Sequence, residues 1–271
     1  MPVAALFAIM TKVGAYSILR IYTLVFGPEV AATDGLTQGW LLPAALLTLL
    51  AGSIGVLGSR KLGRLAAFGA ISSMGTLLIA ISLFTPAATA AALYYLVHST
   101  LAAALLFLVA DLVIERQGRW ILPQLPMQQT GLIAALFFAA AIALAGMPPL
   151  SGFLGKLLVL DATRDDALAT WIWAVILIGS LITILGMARA GSHLFWKGHG
   201  LPQETADEPG EVAVLVAPVA RLPFVACFGL LFALVALTIF AGPATRYAEA
   251  TAAQLFTPTA YIETVLGKEA E

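Results

Sequence analysis

Charge is what this sequence has least of. Only 11% of its 271 residues are Asp, Glu, Lys or Arg, where a soluble domain carries roughly 25%. The formal net charge is −1, so no basic excess is available to hold a nucleic acid. Cysteine is nearly missing. Cys227 stands alone in an apolar run, which excludes an internal disulfide and gives no metal-ligand set. A nucleotide-binding loop, a Walker motif, a haem ligand pair and a Ser-His-Asp set are also lacking, so no cofactor is expected. No signal peptide with a cleavage site is legible, and a polytopic inner-membrane protein needs none.

What remains is apolar. The chain is 61% hydrophobic with a mean hydropathy of +0.96. In a bilayer every backbone polar group must be satisfied within the protein, which leaves helices for a chain with such runs. The sequence predicts an all-α polytopic membrane protein with about 7 transmembrane helices, one of them broken. The segments are about Val3 to Phe26, Trp40 to Leu57, Leu65 to Phe84, Ala90 to Ile114, Thr130 to Leu160, Leu168 to Trp196 and Pro223 to Phe240. Ser72, Ser73 and Gly75 suit either a packing face or a wet path. Residues 197–222 form the one long polar loop, whose Glu204, Asp207, Glu208 and Glu211 suit a solvated segment better than a metal site. The tail, 241–271, is amphipathic, and its Leu255, Phe256, Tyr261 and Ile262 are expected along the membrane interface.

The basic residues set an orientation. Alternate loops carry Arg60, Lys61 and Arg64, then Arg116 and Arg119, then Lys197 and Arg221. Positive loops stay inside, so the N-terminus is expected in the cytoplasm and the C-terminus outside the cell (inner or plasma) membrane.

The fifth segment organises the rest. Residues 130–160 are apolar enough for lipid yet hold Gly146, Pro148, Pro149, Gly152 and Lys156. Proline removes an amide donor and clashes with the preceding turn, so the helix breaks near Pro148. A break at membrane depth survives only where protein or a wet cavity satisfies the freed carbonyls. An ionisable group beside such a break is how many transporters build an ion site. Lys156 is also close enough in sequence to pair with Asp161. Lys12 lies mid-span, about 20 Å from the far end of its segment, too far for its stem to reach that interface. His98 lies inside the fourth segment, and histidine suits a proton relay. The alternative for it is packing against Ser99, Thr100 or a neighbouring carbonyl. Asp111, Glu115 and Arg116 suit an end-of-helix polar cluster, and His193 and His199 suit surface groups. Few intramembrane polar residues, mostly basic, favour moving a proton or small cation over covalent chemistry.

Four stretches together resemble a known family: LFAIMTKVGAYSILR at Leu6 to Arg20, RKLGRLAAFGAISSMG at Arg60 to Gly75, YYLVHSTLAAALLFL at Tyr94 to Leu108, and LAGMPPLSGFLGKLLVL at Leu144 to Leu160. They resemble the proton-translocating antiporter family. It includes the antiporter-like membrane subunits of respiratory complex I and the large subunits of the Mrp (Pha, Mnh) multisubunit cation/proton antiporters. The wording looks most like the D-type Mrp subunit. The family has about fourteen helices with two five-helix inverted repeats. The resemblance implies that residues 1–26 are the last helix of the first repeat. Residues 40–196 would be the complete second repeat, and 223–240 the final helix. The chain would then be a C-terminal half, without the intramembrane glutamate and first broken-helix lysine of the other half.

By the same resemblance, Lys12 falls on the lysine that links the half-channels, His98 on a relay position, and Lys156 on the terminal proton carrier. Many relatives have a further lysine where this sequence has Ala103. The implied function is a subunit of a Na+ or K+/H+ antiporter within a hetero-oligomer, with protons passing along Lys12, His98 and Lys156. Two alternatives stand beside it: a proton-pumping subunit of a complex I-like NADH:quinone oxidoreductase, and a structural half-subunit that moves no ions.

Overall fold

The computed structural model describes residues 2–26, 37–125, 127, 129–200, 221–258, 264 and 267. These include no β-strand; the elements are helices. Glu29, Asp34, the carboxylates of the long polar loop, and Tyr261 and Ile262 lie outside them.

Helix α1 spans Pro2–Leu24, α2 Leu42–Gly58, α3 Leu62–Ser82 and α4 Pro86–Gln117. A π-turn, Thr37–Leu41, leads into α2. The predicted broken segment is two short helices, α5 Thr130–Ala145 and α6 Ser151–Ala162. Helix α7 spans Ala169–Gly191 and continues as a π-turn through Trp196. Helix α8, Arg221–Ile239, is followed after one residue by α9, Ala241–Phe256. Five helical stretches among the described residues are long and apolar enough to cross a membrane: Gly39–Gly58, Leu62–Ser82, Pro86–Gln117, Ala169–Trp196 and Leu222–Ile239. They fall on five of the predicted segments. The chain is a multi-pass, all-α membrane protein.

Helix α4 is the hub, packing against α1, α3, α5, α6, α8 and α9. Helix α2 lies between α3 and α7. Close approach explains the small residues here: a methyl built on Gly75 would meet the backbone of Leu49, and one on Gly52 the backbone of Ser72. Outward faces are apolar, with Leu177, Ile178, Leu181, Leu185 and Phe232 all exposed, as lipid requires.

The basic loops meet at one end. Lys61 pairs with Trp120 in an antiparallel bridge, Leu62 N–H donates to Arg119 O at 3.0 Å, and Ile121 N–H donates to Arg60 O at 2.9 Å. The Arg189 guanidinium donates to Ser59 O, bringing α7 to the same end. The described part of the tail is α9, which packs on α4 and α1 through one face, with Ala248, Ala252 and Leu255 buried and Phe256 edge-on to Phe84. The α9 sequence is amphipathic, and its small residues let it approach Ala90 of α4.

The core divides in two. One apolar cluster, at the basic end, holds Val56, Leu65, Leu106, Val109, Phe137 and Leu194. The other holds Leu49, Leu77, Tyr95, Val159 and Ile176. Along every helix that contributes to both, the buried residues between the two groups are small or polar. They are Gly52 and Ser53 on α2, Gly69, Ser73, Gly75 and Thr76 on α3, His98 and Ser99 on α4, and Gly179, Thr183 and Gly186 on α7, with Ser72 and Ser180 half-buried beside them. The break between α5 and α6 falls in the same layer, which is therefore a polar sheet inside an apolar bundle.

Candidate functional site: a buried polar layer at the helix break

Helix α5 ends at Gly146, whose φ of 76° is left-handed and suits glycine. Gly146 and Met147 N–H groups cap the helix by donating to Ile142 O at 3.1 and 3.0 Å. The chain then passes Pro148 and Pro149 and restarts as α6 at Ser151. This leaves the last carbonyls of α5 without helical donors, as any helix end does.

Lys156 supplies one. Its ammonium donates to Ala145 O at 2.8 Å and to Ser180 Oγ of α7 at 2.7 Å. The lysine thus bends back across the break. Gly146 makes room for it: a Cβ there would stand 2.6 Å from Lys156 Cδ and 3.2 Å from its Nζ. The pairing with Asp161 that sequence spacing allows is not what forms. Asp161 instead holds Arg164 at 2.9 Å on the exposed surface. A helix C-terminus carries partial negative charge, so the carbonyl end of α5 competes well for the cation.

His98 is 1% exposed, and its Nδ1 shares a 2.9 Å hydrogen bond with Ser151 Oγ at the start of α6. Its ring lies 5.7 Å from that of Tyr95. A methyl on Gly152 would overlap Ala143 O and stand 2.8 Å from His98 Nε2. Gly152 therefore lets α6, the α5 carbonyl end and the imidazole converge. Both Lys156 and Lys12 are near enough for their charge to act on His98. Lys12 is 3% exposed, and its Nζ is buried with no hydrogen-bond partner among the described residues.

The structure thus gathers Lys12, His98 and Lys156 into one layer around the break at Pro148, Pro149 and Gly152. It adds residues that sequence reasoning passed over. Ser151 and Ser180 hold the imidazole and the ammonium. A second hydroxyl group joins three helices: Ser53 and Ser72 lie 2.9 Å apart, and Thr183 donates to Ser53 at 3.3 Å. Ser180 and Thr183 are three apart on α7, the spacing of neighbours on one face, and that was the available signal. Two expected surface or end groups are more engaged than expected. His193 shares a hydrogen bond with Arg189 O at 2.8 Å, and Arg116 lies over Phe224. Among the described residues no group of three or more His, Cys, Asp or Glu is placed to hold a metal ion.

The architecture is that of a multi-pass membrane protein built around one broken helix, with Lys156 half-buried across the break and Lys12 buried on α1. Residues 1–184 match the family described as NADH:quinone oxidoreductase/Mrp antiporter, TM, and the chain belongs to that family. It is 36% identical to the D-type subunit of a probable K(+)/H(+) antiporter of Rhizobium meliloti (strain 1021), over 98% of this chain and 52% of the relative. It is 33% identical to the D-type subunit of the Na(+)/H(+) antiporter of Bacillus subtilis (strain 168), over 97% and 51% respectively. Among solved structures, the Mrp complex from Dietzia sp. DQ12-45-1b matches with a TM-score of 0.77 and 27% identity, over 97% of this chain and 55% of that one. An archaeal membrane-bound sulfane sulfur reductase shares the fold, with a TM-score of 0.76 at 19% identity. The chain spans about half the length of the curated relatives it matches.

Proposed function

We propose that this chain is a membrane subunit, corresponding to the C-terminal half of its relatives, of a multisubunit Na+ or K+/H+ antiporter. Protons move along Lys12, His98 and Lys156, and other subunits complete the complex. The observation that carries the reading is the Lys156 ammonium, held at the helix break by Ala145 O and Ser180. It lies in the layer that also holds Lys12 and His98. Relatives named as cation/proton antiporter subunits support exchange over quinone-coupled pumping. Helices α2 to α7 are the second repeat in this reading, flanked by α1 and α8. The basic end faces the cytoplasm of a cell whose plasma membrane holds the complex, and α9 lies on the external side.

In Lys156 the proton is held by a backbone dipole and a hydroxyl, with no carboxylate bonded to it among the described residues. The hydrogen bonds that hold the ammonium lose their charge assistance when the proton leaves, because the neutral amine keeps only two N–H donors, and this couples loading to how firmly the side chain is held.

The test is proton flux in vesicles containing the assembled complex. Lys156→Ala abolishes cation-dependent flux while the complex still assembles. Unchanged flux would overturn the role of Lys156. For His98, alanine and glutamine are compared. Glutamine keeps a hydrogen bond to Ser151 and cannot be protonated, so both substitutions reduce flux if His98 is a relay. Full flux in His98→Gln would make His98 a packing residue.

A further inference from the structure

The cluster of positive charge at the basic end has a use beyond setting orientation. Arg60, Lys61 and Arg64 line a recess of about 500 Å³ together with Trp120. Backbone pairing between the two basic loops holds it open, through the Lys61–Trp120 bridge and the hydrogen bonds on either side. The Lys61 ammonium sits 4.5 Å from the centre of the Trp120 ring. Gly55 and Gly58 form part of the wall, so α2 presents little side-chain bulk there. Among the described residues, none that lines this recess is acidic.

The recess does not end at the charges. Arg64 and Phe68 also line a groove that continues past Ala67 and Ile71. Ala67 and Ile71 in turn border a largely apolar cleft of about 750 Å³ between α1 and α3, which runs on past Ala70, Met74 and Leu78 and has Thr11 and Thr48 as its polar lining. From Arg64 to Met74 is ten residues of α3, roughly 15 Å, which is the depth of one leaflet of a bilayer core about 30 Å thick. Three cations at the top, an interfacial tryptophan beside them, and an apolar channel one leaflet deep match an amphiphile with an anionic head.

We propose that this surface binds an anionic phospholipid, with its phosphate among Arg60, Lys61 and Arg64 and one acyl chain along Ala67, Ile71 and Met74. Basic pockets between membrane helices recognise such heads by charge. Arginine adds a planar fork that matches two phosphate oxygens. The tail contributes less to preference, because neighbouring lipid is equally apolar. It fixes the head in register, and that separates a lipid site from a site for free phosphate. The lipid would tie the two basic loops together at the mouth of the bundle.

The experiment is native mass spectrometry of the full chain in detergent with equal amounts of phosphatidylglycerol and phosphatidylcholine. Retention of phosphatidylglycerol exceeds that of phosphatidylcholine by at least about fivefold, and Arg60→Gln with Lys61→Gln and Arg64→Gln removes the preference. If the triple variant fails to fold, Arg64→Gln alone lowers the preference by about twofold. Ala67→Trp, at an exposed position, fills the groove and lowers phosphatidylglycerol occupancy by about twofold with the cations intact. Glycerol 3-phosphate at millimolar concentration does not compete. A photo-reactive residue at position 67 captures lipid in membranes. The proposal is overturned if wild type shows no preference, if the triple variant keeps it, or if Ala67→Trp changes nothing. Displacement by glycerol 3-phosphate would instead mark a free-anion site, and capture of a protein segment at position 67 would mark a contact with another subunit. Neither result decides the proposed proton path, whose test is flux in the Lys156 and His98 variants.

Discussion

Lys156 donates to a carbonyl of α5 and a hydroxyl of α7, whereas Lys12, in the same layer and 3% exposed, has no hydrogen-bond partner among the described residues. Both are ammonium groups taken out of water. One has been given replacements for its hydration shell and the other has not. A buried amine without partners is costly whether charged or neutral, and most of all when charged, while a hydrogen-bonded one recovers much of that. The break in the fifth segment is what makes the difference, because a continuous helix would have used the carbonyl of Ala145 internally. Proline and glycine at 146–149 thus convert a structural defect into a cation ligand. No comparable break lies beside Lys12, which sits in an unbroken α1. In our reading its partner is water or a segment beyond this chain.

The largest expected effect comes from closing the break from inside. Gly152→Val places branched carbon against Ala143 O and the His98 ring, where there is no room for a Cβ. Overpacking of this kind typically costs about 1–3 kcal/mol or more. Thermal unfolding should show that loss, and flux should fall with it. A variant as stable as wild type would mean that α6 shifts freely and that the convergence at Gly152 is not rigid.

The lysines themselves should then respond with opposite sign. Lys156→Met leaves Ala145 O and Ser180 without their donor and should destabilise the chain by about 1–3 kcal/mol. Lys12→Met removes an unpartnered buried amine and replaces it with an apolar stem of similar length, so stability should rise by about 1 kcal/mol. Both substitutions should reduce flux. Melting temperatures moving in the same direction would show that Lys12 is partnered in the membrane as well as Lys156 is. That would erase the contrast.

Much of this layer was legible in the sequence, and the limits are informative. The break could be placed because Pro148 and Pro149 cannot continue a helix whatever surrounds them. Lys12, His98 and Lys156 stood out because a titratable group in an apolar run is costly. Ser180, Ser151, Ser53 and Thr183 did not, because a hydroxyl in a helix can satisfy itself on the carbonyl one turn back. Ser180 does so on Ile176 O at 2.8 Å, as do many helical hydroxyls that only pack. Nothing local reports whether a lone pair is also used across helices. The direction taken by Lys156 was hidden for a similar reason. Asp161 is near in sequence, and the competing partners, Ala145 O and Ser180, become neighbours only after α5, α6 and α7 pack. The docking of α9 escaped notice because an amphipathic helix with small residues suits a protein groove as well as a membrane surface.

A smaller effect should follow from Ser180. Alanine there removes one of the two groups that hold the ammonium and leaves Ala145 O in place, for a loss of about 1 kcal/mol. Threonine keeps the hydroxyl. Flux should fall several-fold in Ser180→Ala and recover most of the way in Ser180→Thr. If alanine and threonine behave alike, the hydroxyl is incidental and the carbonyl of Ala145 alone defines where Lys156 rests.

The smallest effect, and the one that bounds the site, is at Thr183. Its hydroxyl donates toward Ser53 and toward Gly179 O, and Ser53 also meets Ser72 and donates to Leu49 O. These hydroxyls satisfy one another and their own helices, so the group needs nothing from Lys156. Valine has nearly the shape of threonine, and its introduction leaves Ser53 with Ser72 and Leu49 O. Thr183→Val should therefore cost only about 0.5 kcal/mol, with flux unchanged. A flux loss without a matching loss of stability would have a different meaning. The hydroxyls on α2 and α3 would then exchange protons with the site, and the contrast between a partnered and an unpartnered lysine would be part of a longer path across the bundle.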